Sequence, residues 1–265
     1  MRGFLLSFRS EFYKTRKTLG FWGSIILPLA ITALAFVAVY TKSDKFVKMP
    51  PMMLWAQFSM ISLGSMGTLL LPIYTIFVAY SVNNVEHKSD TWKTLFSLPI
   101  SRWAVYGAKY FYAFFLLFIC MALFTLLNIG FGNLLSFVKP ELKFNEFHME
   151  LQLMQVFYKL LLSALGILSI QFLLSLLWPD FLKPMGLGFV ATVVGAILAS
   201  NQWEYSYLFP YSHPMGAMRS MIKQHGGPSD HFEIDIYTKD VYVSLAIAAI
   251  VFVAGYFIVQ KRSVK

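Results

Sequence analysis

The side chains that could do chemistry in this sequence are few, and several lie in one polar segment near the C-terminus. His213, His225 and His231 lie there close to carboxylates, and histidine with carboxylate is a common ligand set for transition metals. Their spacing matches no tight ligand pair, so we predict no metal site. The sequence contains no HExxH and no GxSxG, and its apolar segments hold no paired carboxylates. We therefore predict neither a catalytic nor a cofactor-binding residue, and no enzyme activity. The nearby carboxylates are Asp230, Glu233 and Asp235.

Lys159 is an ionisable residue well inside an apolar segment, one or two helical turns from the end of that segment. A long lysine side chain in this position commonly extends its ammonium group to the membrane surface. The other interpretation is that Lys159 faces a polar pathway. The sequence leaves both open.

The elements around these residues are typical of a membrane protein. Of the 265 residues 57% are hydrophobic and only 13% are charged, about half the usual charged share of a soluble domain. The sequence also contains uncharged runs of about 18 or more residues. Such runs predict transmembrane helices, each needing roughly 20 residues. We predict an all-α polytopic membrane protein in which residues 1–265 form one transmembrane domain. The predicted spans cover residues 21–40, 54–82, 103–137, 154–178, 184–200 and 241–260.

Two of the predicted spans are unusual. The second and third are longer than a straight crossing needs, so they should tilt or project beyond the bilayer. Gly64, Gly67 and Pro72 interrupt the second span, which predicts a kink or a close helix contact there.

A basic segment precedes the first span. Residues 4–19 predict an amphipathic helix with Phe4, Phe8 and Phe12 on one face. Arg9 and Arg16 flank that face, and Lys17 points away from it. Such a helix suits the headgroup region of a membrane, lying in its plane. The alternative is a frayed basic tail that serves only as a topology signal.

A polar island at residues 86–102 joins the second and third spans. Ser89 is a candidate N-cap of a short helix with Asp90 in its first turn, and Ser101 is a candidate cap of the third span. Trp92, Leu95 and Phe96 recur at helical spacing and form an apolar stripe. We predict that the stripe is exposed and binds another protein. The alternative is that it packs on this chain's own helix ends. The residues expected around the stripe are Glu86, Lys88, Asp90 and Lys93.

The distribution of basic residues predicts the orientation. One side of the membrane would hold thirteen Lys and Arg residues, with Lys109 counted among them, and the other side eight. Lys and Arg are in excess on the cytoplasmic side, so both termini are predicted to be cytoplasmic. The net charge of +9 is explained in the same way and does not require a nucleic acid partner.

The longest polar connection, residues 201–240, lies on the predicted outer side. Its stretch from Leu208 to Ile222 is too apolar and too rich in proline for an ordinary loop. It predicts a re-entrant or interfacial helical hairpin. The alternative is a surface loop with a small core of its own.

The N-terminal SEFYKTRKT, the six predicted spans and the linker pattern E-x5-WK-x-L-x-SLPISR-x6-K together resemble the type-2 ABC exporter permeases. Within that group the chain is most similar to the permeases of bacitracin and lantibiotic self-protection in bacteria. The resemblance covers the whole chain in topology, and its residue-level match lies in residues 10–20 and 82–110.

In that family the linker between the second and third spans carries a coupling helix that docks on an ATPase subunit. The resemblance therefore implies that docking residues lie in the polar island. It also implies a second permease copy, identical or paired, and a bacterial cytoplasmic membrane. The chain contains no GxxxxGK[ST] motif, so ATP and magnesium are expected on a separate ATPase polypeptide. The residues that match the family pattern are Glu86, Trp92, Lys93, Leu95, Pro99 and Arg102.

The resemblance and the apolar spans together predict an ATP-driven exporter subunit. The scarcity of charge inside the spans favours an amphipathic cargo, such as a peptide antibiotic or a lipid-linked molecule. A secondary transporter is the alternative, but it would need coupling-ion sites at mid-membrane. A membrane-embedded enzyme would need a catalytic dyad, which the sequence does not offer.

Overall fold

The computed structural model describes residues 2–97, 99–220 and 234–261, and every regular element in these ranges is helical. Helices are expected in hydrocarbon, because each backbone N–H and C=O must find its partner within the segment. In chain order the α-helices are α1 (Arg2–Thr15), α2 (Leu19–Thr41), α3 (Ser43–Phe46), α4 (Pro51–Ser65), α5 (Leu71–Ser89), α6 (Trp92–Ser97), α7 (Arg102–Val138), α8 (Glu150–Leu177), α9 (Leu182–Ser200), α10 (His213–Arg219) and α11 (Lys239–Lys261).

Six helical segments in the described ranges are long and apolar enough to cross a membrane. They are α2, the continuous segment from α4 to α5, α7, α8, α9 and α11. The prediction of an all-α protein with six spans is therefore confirmed. The 37 residues of α7 extend over about 56 Å, which exceeds the roughly 30 Å of a hydrocarbon core.

The second span contains a wide helical turn. A π-helical turn, Met66–Leu70, joins α4 to α5, and Pro72 is the second residue of α5. Proline lacks an N–H group and its ring collides with the carbonyl four residues earlier, so the wider turn relieves both conflicts. Gly67 lies in this turn against the Met218 side chain, which would have to move if position 67 carried a side chain. The glycine therefore permits the close helix contact that the sequence predicted.

The core is centred on α8, the most buried of the six spans, whereas α2, α9 and α11 are the least buried. Buried amide and hydroxyl groups link the spans to one another. Asn83 on α5 donates to the Ser175 hydroxyl of α8 at 2.8 Å, and the Ser62 hydroxyl on α4 donates to Asn128 of α7 at 2.7 Å. Such bonds compensate for burying polar groups in an apolar interior.

The first part of the connection between α9 and α11, residues 201–220, folds back into the helix bundle. Two 3-10 turns, Ser206–Leu208 and Pro210–Ser212, lead into α10, and this segment packs against α8, α9 and α11. We call residues 206–220 the wedge. Tyr211, His213 and Ala217 of the wedge are all buried.

Candidate functional site: the short helix and the charged residues beneath it

The polar island folds around the six-residue helix α6. Helix α5 ends at Ser89, and Asp90 follows it in the left-handed conformation at φ 50°. Helix α6 begins two residues later, at Trp92. The predicted N-cap at Ser89 is wrong: Ser89 is the last residue of α5, and its hydroxyl donates to the Val85 carbonyl at 2.6 Å. The predicted cap of the third span is confirmed, since the Ser101 side chain accepts from the Ala104 amide at 3.3 Å.

Trp92 connects α6 to the helix bundle. Its indole N–H donates to His87 Nδ1 at 3.1 Å, so the proton on that histidine lies on Nε2. His87 Nε2 then donates to the Ser175 carbonyl of α8 at 3.0 Å. The ammonium group of Lys109 lies 5.5 Å from the centre of the Trp92 ring, within the range of a cation–π contact.

Beneath Trp92, two lysines and two glutamates from three helices alternate in a closed ring. Lys109 of α7 donates to Glu11 Oε2 of α1 at 2.9 Å, to the Val82 carbonyl of α5 at 3.2 Å and to Glu86 Oε2. Lys14 of α1 donates to the remaining oxygen of each carboxylate, at 2.9 Å in both cases. We call Glu11, Lys14, Glu86 and Lys109 the charge ring.

The charge ring is buried and electrically neutral. Glu11, Glu86 and Lys109 are each only 1% exposed, while the Lys14 side chain is 31% exposed. An ammonium group has three donors, and the three contacts of Lys109 use all of them. Burial acts to lower the pKa of Lys14, but the two neighbouring carboxylates outweigh it, and the net pKa of Lys14 is raised. Charges in such a setting are tolerated only because each one is paired.

Helix α1 packs on α7 through aromatic side chains next to the charge ring. The Phe4 ring lies 6.0 Å from that of Phe111, and the Phe8 ring lies 5.6 Å from that of Tyr112. Thr15 and the Tyr112 hydroxyl are hydrogen-bonded at 2.6 Å. Helices α1, α5 and α7 are thus joined by ion pairs and ring contacts at one end of the molecule.

A family model described as an ABC-2 family transporter protein matches residues 7–195. The match begins in α1 and ends in α9, so it includes the whole charge ring and α6. The chain belongs to the ABC-2 transporter family. It is accordingly a membrane permease, and its family normally pairs with an ABC ATPase subunit. No curated protein and no solved structure matches this chain.

In this ABC-2 permease the predicted docking residues separate into an exposed and a buried group. Asp90 and Pro99 are exposed, and Trp92 and Leu95 are half-buried. Glu86 was expected on the exposed rim of the stripe, and this placement is wrong because its carboxylate is bound by two lysines inside the charge ring. The side chains of Lys93 and Phe96 lie outside the described part of the permease.

Arg102 binds within the permease. Its guanidinium donates to the Gln260 carbonyl at 2.9 Å and to the Val259 carbonyl at 3.4 Å. Basic side chains commonly satisfy the last carbonyls of a helix in this way. Arg102 therefore ties the start of α7 to the end of α11, and a docking role for it stays a prediction.

The predicted membrane face of α1 is wrong in part. Phe4 and Phe8 face α7, whereas Phe12 and Tyr13 are 41% and 52% exposed. Arg9 and Arg16 each lie 5.8 Å from the Tyr13 ring. The exposed face thus combines aromatic with basic side chains, and its contact with lipid, with Lys17 included, stays a prediction. The structure differs because α7 offers aromatic partners that the helical wheel could not reveal.

Lys159 neither extends to the surface nor faces an open path. It is fully buried and donates to the Ser220 carbonyl at 2.7 Å and to the Ser220 hydroxyl at 3.1 Å. The predicted re-entrant segment agrees with the wedge over residues 208–220, while residues 221 and 222 lie outside the described ranges. Lys159 therefore fastens the end of the wedge to α8.

His213 is the one histidine of the predicted outer cluster that the described ranges include. Its Nε2 donates to the Tyr207 carbonyl at 2.8 Å. Burial lowers the pKa of His213 to about 4, against a smaller opposing effect of that hydrogen bond. The described residues contain no group of three metal-ligating side chains. His225, Asp230, His231 and Glu233 lie outside them.

Sequence reasoning assigned no role to Glu11, Lys14 or Lys109. Glu11 is the only carboxylate among the basic residues that precede the first span, which is a usable signal. Lys109 was counted as a loop charge but lies in the second turn of α7. The linker pattern that carried the family resemblance already contained Glu86 and Lys109 at a fixed spacing. That these two residues form an ion pair was not predicted.

Proposed function

We propose that this permease is the membrane-spanning subunit of an ABC exporter, driven by a separate ATPase subunit that docks on α6. The family match and the contacts of Trp92 support the proposal. The partner ATPase would hold ATP and magnesium, and the permease would form a dimer with a second copy or a paired permease. Both termini would face the cytoplasm of a bacterium.

The contacts of Trp92 would carry movement from α6 into the membrane. One route runs through His87 to the Ser175 carbonyl on α8. The other runs through Lys109 to the charge ring, and so to α1, α5 and α7. Because an unpaired buried charge is costly, the three helices of the ring would move together rather than separate. Closure of the ATPase would in this way tilt long helices as a rigid body.

The ATPase would contact the accessible side of α6 and its flanking turns. Thr94, Ser97 and Pro99 are exposed there, with Asp90 at the preceding turn. Leu95 is half-buried and would contribute the apolar part of the contact. The internal face of the segment is occupied by Trp92, so α6 would serve as a connector with one face for each partner.

The cargo would be amphipathic, such as a peptide antibiotic or a lipid-linked molecule. The buried lysines and glutamates described above are held at the two ends of the spans, which does not favour a path for small ions. The apolar sides of α2, α9 and α11 are the least buried of the spans and would face lipid, cargo or a second permease. Self-protection against a bacitracin-like or lantibiotic peptide is the specific role we propose.

Co-purification tests the docking proposal. The double variant Trp92→Ala with Leu95→Ala should lose ATPase association and transport while still inserting into the membrane. Trp203→Ala with Leu208→Ala is the matched control, because both residues are exposed on the wedge side and the same side chains are removed. Trp92→Phe, which keeps an aromatic ring, should retain more activity than Trp92→Ala. Unchanged ATPase association in the first variant would refute docking at α6.

Cysteine labelling tests the orientation. Cys120 is buried, and a Cys120→Ala background removes its thiol. Thr94→Cys and Asn201→Cys place exposed reporters at the two ends of the bundle. An impermeant maleimide should label Asn201→Cys on intact cells and Thr94→Cys only after the cells are opened. The reverse pattern would overturn the orientation.

A further inference from the structure

A groove opens at the same end of the spans as the charge ring, on another side of α5. It lies between the α1–α2 junction, the second half of α5 and the residue before α9, and its volume is about 780 Å³. That size is within the range of small-molecule sites in proteins. Its lining includes Lys17, Thr18, Phe77, Asn84, Lys88 and Phe181.

We propose that this groove binds an anionic phospholipid, with its phosphate group between Lys17 and Lys88 and an acyl chain along α5 toward Phe77. The proposal concerns lipid binding by the permease itself and does not depend on the ATPase. The positive charge of the groove, its length and its change from polar to apolar residues support the proposal.

The charge of the groove favours an anion. Lys17 and Lys88 are both exposed, and neither forms an ion pair with any carboxylate in the described part of the chain. Thr18 caps the N-terminus of the 23-residue α2, whose first-turn N–H groups carry partial positive charge. The helix end thus adds to the two lysines.

The nearest carboxylates cancel only part of this charge. Glu86 is adjacent to the groove lining, but Lys14 and Lys109 neutralise it inside the charge ring. Asp90 directly follows the lining and is exposed, so its single negative charge offsets one of the two lysines at most. Asp180 precedes Phe181, and its carboxylate lies 4.0 Å from the Lys183 ammonium. The described lining of the groove itself contains no carboxylate.

The length of the groove favours a lipid over a small soluble anion. The lining residues of α5 run from Phe77 to Ser89, a rise of about 18 Å. One leaflet contributes roughly 15 Å of hydrocarbon, half of the bilayer core. The cationic end of the groove lies where the spans begin and end, and Phe77 lies deep within the second span. A polar entrance followed by a mainly apolar wall matches a headgroup followed by an acyl chain.

Native mass spectrometry tests the proposal on the full-length permease. The protein is equilibrated in nanodiscs of dioleoylphosphatidylcholine with a minor fraction of dioleoylphosphatidylglycerol, and the retained phosphatidylglycerol is counted after release into detergent. Lys17→Gln with Lys88→Gln should lower retention roughly tenfold, because each cation near a membrane surface contributes appreciably to the binding of anionic lipid.

The control is Lys42→Gln with Lys45→Gln, which removes the same charge from exposed positions at the other end of α2. Retention in this control should equal that of the wild type. Equal losses in both double variants, or no loss in either, would overturn the site. A third arm adds excess glycerol phosphate. Competition by this soluble headgroup would show a free-phosphate site instead of a lipid site, whereas unchanged retention supports the acyl-chain contact.

Discussion

Two buried lysines lie at opposite ends of this permease and are held in different ways. Lys109 is bound by two carboxylates, each of which also binds Lys14. Lys159 is bound by the carbonyl and the hydroxyl of one residue, Ser220, at the end of the wedge. One lysine therefore sits in a closed network of ion pairs. The hydrogen bonds of the other go to neutral acceptors of a single segment, and Asp235 and Asp240 attract it only from beyond ion-pair distance.

This difference predicts that the helices at the charge ring stay together, whereas the end of the wedge can separate from α8. Pulling α1, α5 and α7 apart would leave charged groups unpaired in a dry interior, which is very costly. Moving Ser220 away from Lys159 removes no opposite charge, and water can replace both acceptors. On the proposed function, the end with the charge ring would receive force without deforming, while the end with the wedge would open and close.

The first prediction concerns the removal of Lys109 from the charge ring. Lys109→Met should lower stability by about 3–5 kcal/mol, because it leaves Glu11 and Glu86 buried with only Lys14 as partner. Thermal unfolding of the purified permease followed by tryptophan fluorescence measures this loss.

Two further variants test that explanation of the loss. Lys14→Met removes the partly exposed cation of the same ring and should cost clearly less. Adding Glu11→Gln and Glu86→Gln to Lys109→Met should recover part of the stability. A triple variant no more stable than Lys109→Met would show that the lost packing, not the unpaired charge, causes the effect.

The second prediction applies the same substitution to the other lysine. Lys159→Met should lower stability by about 2–3 kcal/mol, because it removes two hydrogen bonds from a charged donor but breaks no ion pair. Asp235 and Asp240 lose only a weaker attraction from beyond ion-pair distance. The same thermal measurement applies. Ser220→Ala, which removes only the hydroxyl contact, should cost less. If Lys159→Met costs more than Lys109→Met, the contrast between the two ends is wrong.

The third prediction concerns pH. His213 has its pKa lowered to about 4 in the folded permease, against about 6.5 when unfolded, so its neutral form stabilises the wedge above that unfolded value. This stability is lost as the pH falls toward 4, and at pH 5 the loss should be about 2 kcal/mol. Hydrogen–deuterium exchange, corrected for its intrinsic pH dependence, should rise in wedge peptides between pH 7.5 and pH 5.

Peptides from α1 provide the internal comparison for the pH experiment, because α1 contains no histidine. A His213→Gln variant should lose most of the pH dependence in the wedge while keeping a donor toward Tyr207. Equal changes in wedge and α1 peptides would point to global destabilisation and contradict a local effect of His213.

The spans were predictable from sequence because the bilayer acts on each helix separately. An apolar run without charge must be helical in hydrocarbon, whatever its neighbours are. The re-entrant segment was predictable for the same reason, since Pro210, Tyr211 and Pro214 lie in a stretch too apolar for an exposed loop. Local composition was sufficient in both cases.

The charge ring was not predictable in this way because its members come together only after folding. Glu11 and Lys109 are 98 positions apart, and Glu86 lies between them in sequence. Helical periodicity predicts the face of a helix on which a residue lies, but it does not identify the helix that packs against that face. Glu86 was therefore placed on an exposed rim, and Phe4 and Phe8 were placed toward lipid, when all three face other helices of the permease.

The π-helical turn Met66–Leu70 sets the angle at which the charge ring can close. Each residue of an α-helix turns the chain by about 100°, and a π turn absorbs residues without that full rotation. Glu86 lies sixteen residues, or about 24 Å, beyond Leu70 on the same continuous helix. Tightening the wide turn by one hydrogen-bond register would swing Glu86 around the helix axis and away from Lys109. A small change in helical winding beside the wedge would thus displace Glu86 sideways at the opposite end of the second span. The second span can in this way transmit a rotation between the wedge and the charge ring.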